Sequence, residues 1–349
     1  MPRAKKKKET EKAPPKKLDE YELSRPEQLD LFELVLPAEK KYSNTIELYD
    51  FMPKYHWGKV ERVEGYFLHP LRREFECRGV RYQLRMAPAS VDDKDGVARD
   101  YFPGKREELV EDALRKLASE GQAVFLDDEV SVTFTLYQLQ QELKKTGHSY
   151  SLAELKEALL VCAGTNISVT NENGSSVLVG NMFETLGLQS RENWQGAGKK
   201  TKAFVRFNSL VTKGIRYGLF RRFNYEKSMG YKSVIARQLH KRMAHHYTQA
   251  SITQPYHILL TTIIRDFGLT GYERLSHNLR DVLLALDEMV EKSVVLSYKV
   301  EKTLDADLRN KLVEAKLILT PHPYFVSEVM QANAVQAQAK VLPKPKDAS

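Results

Sequence analysis

Arg274, His277, Asn278, Arg280 and Asp281 lie within eight residues of one another, on a segment whose apolar residues recur at helical spacing. Arginine and asparagine are the side chains that pair bidentately with guanine and adenine in a major groove, so this cluster has the chemistry of base reading. Upstream, Arg237, Lys241, Arg242 and His245 share a helical stretch, where cationic groups can reach phosphates, which set register but carry no sequence information. Arg206, Arg221, Arg222, Lys232 and Arg265 extend the same basic character. The competing reading is a solvated polar face, which the unbalanced charge around these residues disfavours.

Catalysis finds no comparable pattern. Gly196-Ala197-Gly198-Lys199-Lys200-Thr201 resembles a phosphate-binding loop only at first sight. That motif needs glycine five positions before Gly198 and a hydroxyl residue directly after Lys199, where the chain has Asn193 and Lys200. A basic linker is the better reading. His245-His246 and His322 lack the alternation on a strand that a metal-dependent nickase would need, and no HExxH or CxxC spacing occurs. Cys77 and Cys162 are the only cysteines, too isolated for a disulfide framework or a zinc cluster. The expectation is a protein that is not an enzyme, with no cofactor and no bound metal.

Charge is segregated along the chain. Of a net +8, residues 1–17 carry eight basic groups against Glu9 and Glu11, and residues 199–246 carry thirteen against the single acid Glu226. Everything else is therefore acidic. A basic block with interleaved aromatics (Phe204, Phe207, Tyr217, Phe220, Phe223, Tyr225, Tyr231) calls for a polyanion, and nucleic acid is the obvious one. Hydrophobic content of 42% with 29% charged residues is that of a globular chain, and 349 residues suit two domains plus tails. No apolar run approaches the roughly 20 residues of a membrane span, and no signal peptide is evident, so a cytoplasmic location is expected.

The elements that would position these residues read as α+β. Residues 1–40 look like a disordered basic arm, with Pro14-Pro15 and no apolar period. Alternation marks strands at Val60–Phe67, Glu74–Cys77 and Val80–Met86, and a helix is expected from Lys105 to Ser119, stopped by Gly121. A strand, Ser131–Phe134, leads into the capping box Thr135–Gln138 and a helix to Lys145. A second box, Ser151–Glu154, opens a helix to Ala163, and strands Ile167–Thr170 and Ser176–Phe183 flank the turn Asn171–Gly174. Helix, helix, helix and β-wing make a winged helix. The order recurs in Ser233–His246, a helix Tyr256–Phe267, a third capping box Thr270–Glu273 with its long helix, strand Ser293–Lys299, a charged loop Glu301–Lys311 and strand Glu314–Leu319. The layout is then an arm (1–40), a first winged helix (41–190) for dimerisation or DNA, a basic linker with lead-in strands (191–230), a second winged helix (231–325) for specific DNA binding, and a low-complexity tail (326–349).

One feature of the arm stands apart. Gln28-Leu29-Asp30-Leu31-Phe32 follows Pro26 in a lysine-rich region, and free apolar side chains there need a partner's pocket. The alternative is a short element covering the first domain. The pentapeptide resembles the peptide by which bacterial replication proteins dock into the sliding clamp, with the glutamine amide at the pocket rim and leucine and phenylalanine inside. Together with Asn224–Ser228, Ile235–Arg242 and Gln254–Leu260, it makes the chain resemble plasmid replication initiators of the RepA/TrfA kind over about residues 28–325. The resemblance implies binding to repeated origin sites (iterons), opening of an AT-rich segment, and recruitment of host initiator, replicative helicase and clamp. The basic, aromatic block 199–246 is expected to hold the opened single-stranded DNA by stacking. It also implies inactive homodimers, autorepression and copy control, without a nucleotide of the protein's own. A tandem winged-helix transcriptional regulator remains the alternative, though it leaves Gln28–Phe32 without a role. A nickase or primase is disfavoured by the missing metal and nucleophile pattern.

Overall fold

The structure is a computed structural model; it describes residues 41–58, 61–64, 66–92, 96–126, 129–174, 177–188, 202–269, 274–306 and 310–341. The arm with Gln28, Leu29, Asp30, Leu31 and Phe32, the Gly196–Thr201 segment and the Thr270–Glu273 box lie outside the described residues.

The first unit is built around α2 (Lys105–Leu117), α3 (Leu136–Lys145) and α4 (Leu152–Gly164). Both expected capping boxes form: Thr135 accepts from the Gln138 amide at 3.1 Å, and Ser151 from the Glu154 amide at 3.2 Å. Each satisfies an amide that a helix start leaves without a partner. Two four-stranded antiparallel sheets flank the helices. One orders β2 (Leu71–Cys77), β3 (Val80–Ala87), β8 (Asn166–Asn171) and β9 (Val177–Asn181); Gly174, at φ 65°, turns the β8–β9 hairpin as expected. The other orders β10 (Phe183–Leu188), β11 (Lys202–Phe207), β7 (Glu129–Thr135) and β6 (Ala123–Leu126). The first wing thus pairs with β3 and not with β7, a departure from a simple winged helix. Val60–Phe67 forms no strand among its described residues, only a bridge between Val63 and Phe67.

Residues 202–229, expected as part of a basic linker with lead-in strands, do hold strands and complete this unit. β11 is central in its sheet. It contributes Phe207 to the core, and α5 (Ser209–Arg216), β12 (Phe220–Asn224) and α6 (Tyr225–Met229) contribute Val211, Ile215, Phe220, Tyr225 and Met229. β12 pairs antiparallel with β1 (Tyr42–Ile46), which runs directly into α1 (Glu47–Phe51). Most of the interleaved aromatics are therefore interior, and only Tyr217, at 38%, is substantially exposed.

The second unit is a winged helix in full. α7 (Val234–His246), β13 (Tyr256–Leu259), α8 (Leu260–Phe267) and α9 (Leu275–Glu291) precede a long hairpin of β14 (Val295–Asp305) and β15 (Lys311–Pro321), and the sheet order is β13-β15-β14. Tyr256–Leu259 was expected to be helical; it is a strand because Ile258 alternates inward while His257 and Leu259 face out, a period of two. The hairpin also carries most of the segment expected as a charged loop.

After Pro321 the chain forms α10 (Pro323–Val341) in place of much of the expected tail. Phe325, Val329 and Ala332, at helical spacing, are buried, and Val335 packs on the first unit's core. Arg221 donates to Asn333 at 2.5 Å and Gln336 at 2.7 Å, while Asn224 and Lys227 hold Glu328. This helix clasps the two units together.

The units meet chiefly through charge. α2 presents Glu108 and Asp112, and α7 presents Arg237 and Lys241. Arg237 pairs with Glu108 at 2.8 Å and Lys241 with Asp112 at 2.7 Å, all deeply buried. Behind them Arg115 binds Asp50, and Lys54 lies 3.5 Å from Glu111. Burial alone would push the Asp50 carboxyl up, but Arg115 outweighs it and holds the group well below the usual carboxylate range. Burying each ion costs several kcal/mol unless its partner and hydrogen bonds are in place. Removing one member should therefore be far worse than replacing both. Glu108→Leu or Arg237→Met alone is expected to cost about 3–5 kcal/mol, and the double replacement to recover most of it, read from urea midpoints.

Two interface histidines add a pH response. His240 and His245 are buried on α7, and burial lowers both to about 3; nearby cations add to this, while Asp50 opposes it at His245. Unfolded histidine titrates near 6.5, so their contribution is intact above that pH and is lost as pH falls towards 3. Stability should decline by about 1.4 kcal/mol per pH unit for each histidine below the mid-6 range. In His240→Phe the slope measured by urea unfolding between pH 6 and 4.5 should shrink by one such increment.

Candidate nucleic-acid interface

α9 has two chemically distinct halves. Its buried sector runs through Asn278, Leu279, Val282, Ala285, Leu286 and Met289. On the opposite side, the first turns expose Arg274, His277 and Arg280, whereas Asp287 and Glu291 are exposed towards the end. Acids of that second half have partners within the unit: Glu288 accepts the amides of Lys232 and Ser233 at the start of α7, and Asp287 accepts the Tyr298 hydroxyl at 2.6 Å. The basic half has fewer internal duties. The Arg274 side chain has no polar contact among the described residues, its carbonyl accepting the His277 amide at 3.0 Å, and Arg280, 62% exposed, leans on its neighbour Asp281. The N-terminal half of a recognition helix is the part that meets base edges, and its helix dipole adds positive potential there.

The wing supplies what the sequence reading missed. Lys299, Lys302 and Lys311 are exposed along β14 and β15, and Lys316 lies 3.9 Å from Glu301. Lys302 shares with Arg280 a groove of about 390 Å³ between α9 and the hairpin, floored by Leu279, Leu283 and Leu312. The signal was present as alternation through Tyr298 and Val300, offset from Val295 by a bulge, but the run of charges concealed it.

Several expected contacts are corrected by burial. Arg237, Lys241, Arg242 and His245 do not face solvent: the first two are paired across the unit interface, Arg242 holds Asp266 at 2.8 Å, and His245 stacks edge-on against Phe51. Their helix is the internal one, with the second core on one side and acidic α2 on the other. Asn278 is 4% exposed, on the Val282 side of α9, because the buried stripe is wider than Leu275, Leu279 and Leu286 alone imply. Arg221 is held by α10, and Arg265 is bound to Asp266 and Glu76. Arg206 and Arg222 are half-buried, Arg222 over the Tyr42 ring at 5.8 Å. Lys232 is exposed beside the start of α7. Of the thirteen expected DNA-binding residues, Arg274, His277, Arg280 and Lys232 are the ones exposed at the surface. Among the described residues no cluster of His, Cys, Asp and Glu could hold a metal ion, and no helix is long and apolar enough to cross a membrane.

No family model matches the chain, and no curated protein matches it. Solved structures are similar at low identity. Domains 2 and 3 of RctB align at 10% identity over 72% of this chain and 91% of that one, with a TM-score of 0.46. A second structure of those domains gives 9%, 78%, 95% and 0.46. The Pi initiator protein, solved in complex with iteron DNA, gives 13% identity over 62% of this chain and 91% of that one, with a TM-score of 0.42.

The two halves of the interface should be separable by mutation. With a duplex selected by the wild-type protein from a random pool, Arg280→Ala should cost about 1–3 kcal/mol and relax preference at one position. Lys302→Ala should weaken selected and random duplexes alike and lower the salt slope by about 1. Anisotropy titrations at several salt concentrations measure both.

Proposed function

We propose that the protein is a replication initiator that binds repeated duplex DNA through the second winged helix and docks the bacterial sliding clamp through Gln28–Phe32. The observation that carries the DNA-binding half is the row Arg274, His277 and Arg280, exposed on the first turns of α9 beside the wing lysines. A row of exposed basic side chains in this position suits base edges and phosphates. Resemblance in sequence to the RepA/TrfA kind supplies the rest: iterons as the repeated sites, a homodimer as the resting form, and host initiator and helicase as partners. In this reading the protein consumes no nucleotide and carries no cofactor. Binding of several copies to adjacent repeats bends the duplex, and that deformation favours opening of a flexible AT-rich stretch.

The corrected positions change how opened DNA would be held. The aromatics of residues 199–246 are largely interior, so stacking of single strands on that segment is not part of the proposal.

The clamp half is tested independently of DNA. Leu31→Ala with Phe32→Ala should abolish capture of the full-length protein on immobilised sliding clamp while leaving affinity for the selected duplex unchanged. Undiminished capture would retire the pentapeptide as a docking element.

A further inference from the structure

We propose that Trp57 and Arg73, both in the first unit, fix the pose of α9 by holding the turn that precedes it. Base discrimination would then be governed in part by residues beneath the unit interface. The inference rests on the reading of α9 as the base-reading helix.

α8 ends at Phe267, and Gly268 follows in the left-handed region at φ 64° and ψ 38°. Its amide donates to the Arg265 carbonyl at 3.2 Å and that of Leu269 to Ile264 at 3.0 Å, the pattern of a glycine-terminated helix. Such an end still leaves carbonyls open. The Trp57 indole N–H donates to the Phe267 carbonyl at 3.1 Å, reaching across from the first unit.

Arg73 closes the same turn from another side. A Cβ built on Gly268 would lie 2.9–3.1 Å from atoms of its guanidinium, so the arginine sits flat against the glycine. The guanidinium is itself anchored: Nη1 donates to the carbonyls of Pro53 and Tyr55 at 2.5 Å each, and Nη2 lies 3.1 Å from His56 Nδ1. A positive group at a helix C-terminus also complements the helix dipole. The last turn of α8 is gripped further where the Glu76 amide donates to Asp266 at 3.2 Å and Arg265 pairs with Glu76 at 3.3 Å.

A short stretch separates Gly268 from Arg274, the first of the exposed cations, so what holds the end of α8 determines where α9 starts. Bidentate base contacts tolerate donor–acceptor distances of only about 2.7–3.2 Å, so a shift of under 1 Å at this turn is enough to break them. Phosphate contacts by long lysines are far more forgiving. Loss of the hold should therefore reduce sequence discrimination and spare general affinity for DNA.

The test uses the full-length protein, a duplex selected by the wild type from a random pool, and a random-sequence duplex of equal length. Trp57→Phe keeps a ring but removes the donor. Gly268→Ala pushes a methyl against Arg73 from the opposite side. Arg280→Ala serves as the control on α9 itself. Either turn variant should lower the ratio of selected to random affinity by about tenfold, the size of one lost base contact. Random-duplex affinity should stay within about twofold, and reselection should return a degenerate site. An unchanged ratio in the folded turn variants, with Arg280→Ala lowering it, overturns the positioning role. An unchanged ratio in Arg280→Ala removes the base-reading assignment of α9, and this inference falls with it. Should Trp57→Phe fail to fold, Gly268→Ala decides the matter.

Discussion

The contact between α2 and α7 is the constraint from which most of this architecture follows. Glu108 and Asp112 meet Arg237 and Lys241 with almost no solvent between them. Ions buried this way are specific rather than adhesive: each tolerates only the partner placed opposite it. The two winged helices therefore have a defined mutual orientation, secured by α10 on a second side and by the grip on α8 on a third. α9 is consequently held by a frame larger than its own domain.

This arrangement gives a physical account of the charge segregation in the sequence. A basic block and an acidic remainder look like a protein waiting for a polyanion, and part of the block's charge, as at Lys232, does lie exposed. Another part is internal bookkeeping, in which cations of one helix find carboxylates about 130 positions away. The two uses cannot be told apart by counting, since a guanidinium aimed at Glu108 and one aimed at a phosphate have the same local sequence. Burial separates them.

Elements defined by local chemistry were legible: the Thr135 and Ser151 capping boxes, the Asn171–Gly174 turn and the long helix of the second unit. Each depends on residues within a few positions of one another. What was misread depends on distant partners. Tyr256–Leu259 is a strand because β15 lies beside it, and Lys202–Phe207 is core because β7 and β10 flank it. In the candidate site, Arg274, His277 and Arg280 were legible from helical periodicity and residue type. The wing lysines were not, because charges on both strands of a hairpin read as a loop when the pairing is unseen. Asn278 failed for a subtler reason: α9 buries a broad sector rather than a narrow stripe, and one polar side chain falls inside it.

The pairing of β1 with β12 has a consequence for how the chain is made. Tyr42 lies opposite Asn224, so the first unit, although contiguous in sequence, cannot close before its last strand has left the ribosome. At about 5–20 residues per second, β1 waits on the order of ten seconds or more for its partner strand to be synthesised. Non-local pairing of this sort also slows folding through its loop-closure cost. During that interval the future core faces of β2, β3 and α2 are open to chaperones and to other nascent chains. Closure of the first unit is tied in this way to a vectorial step of biosynthesis.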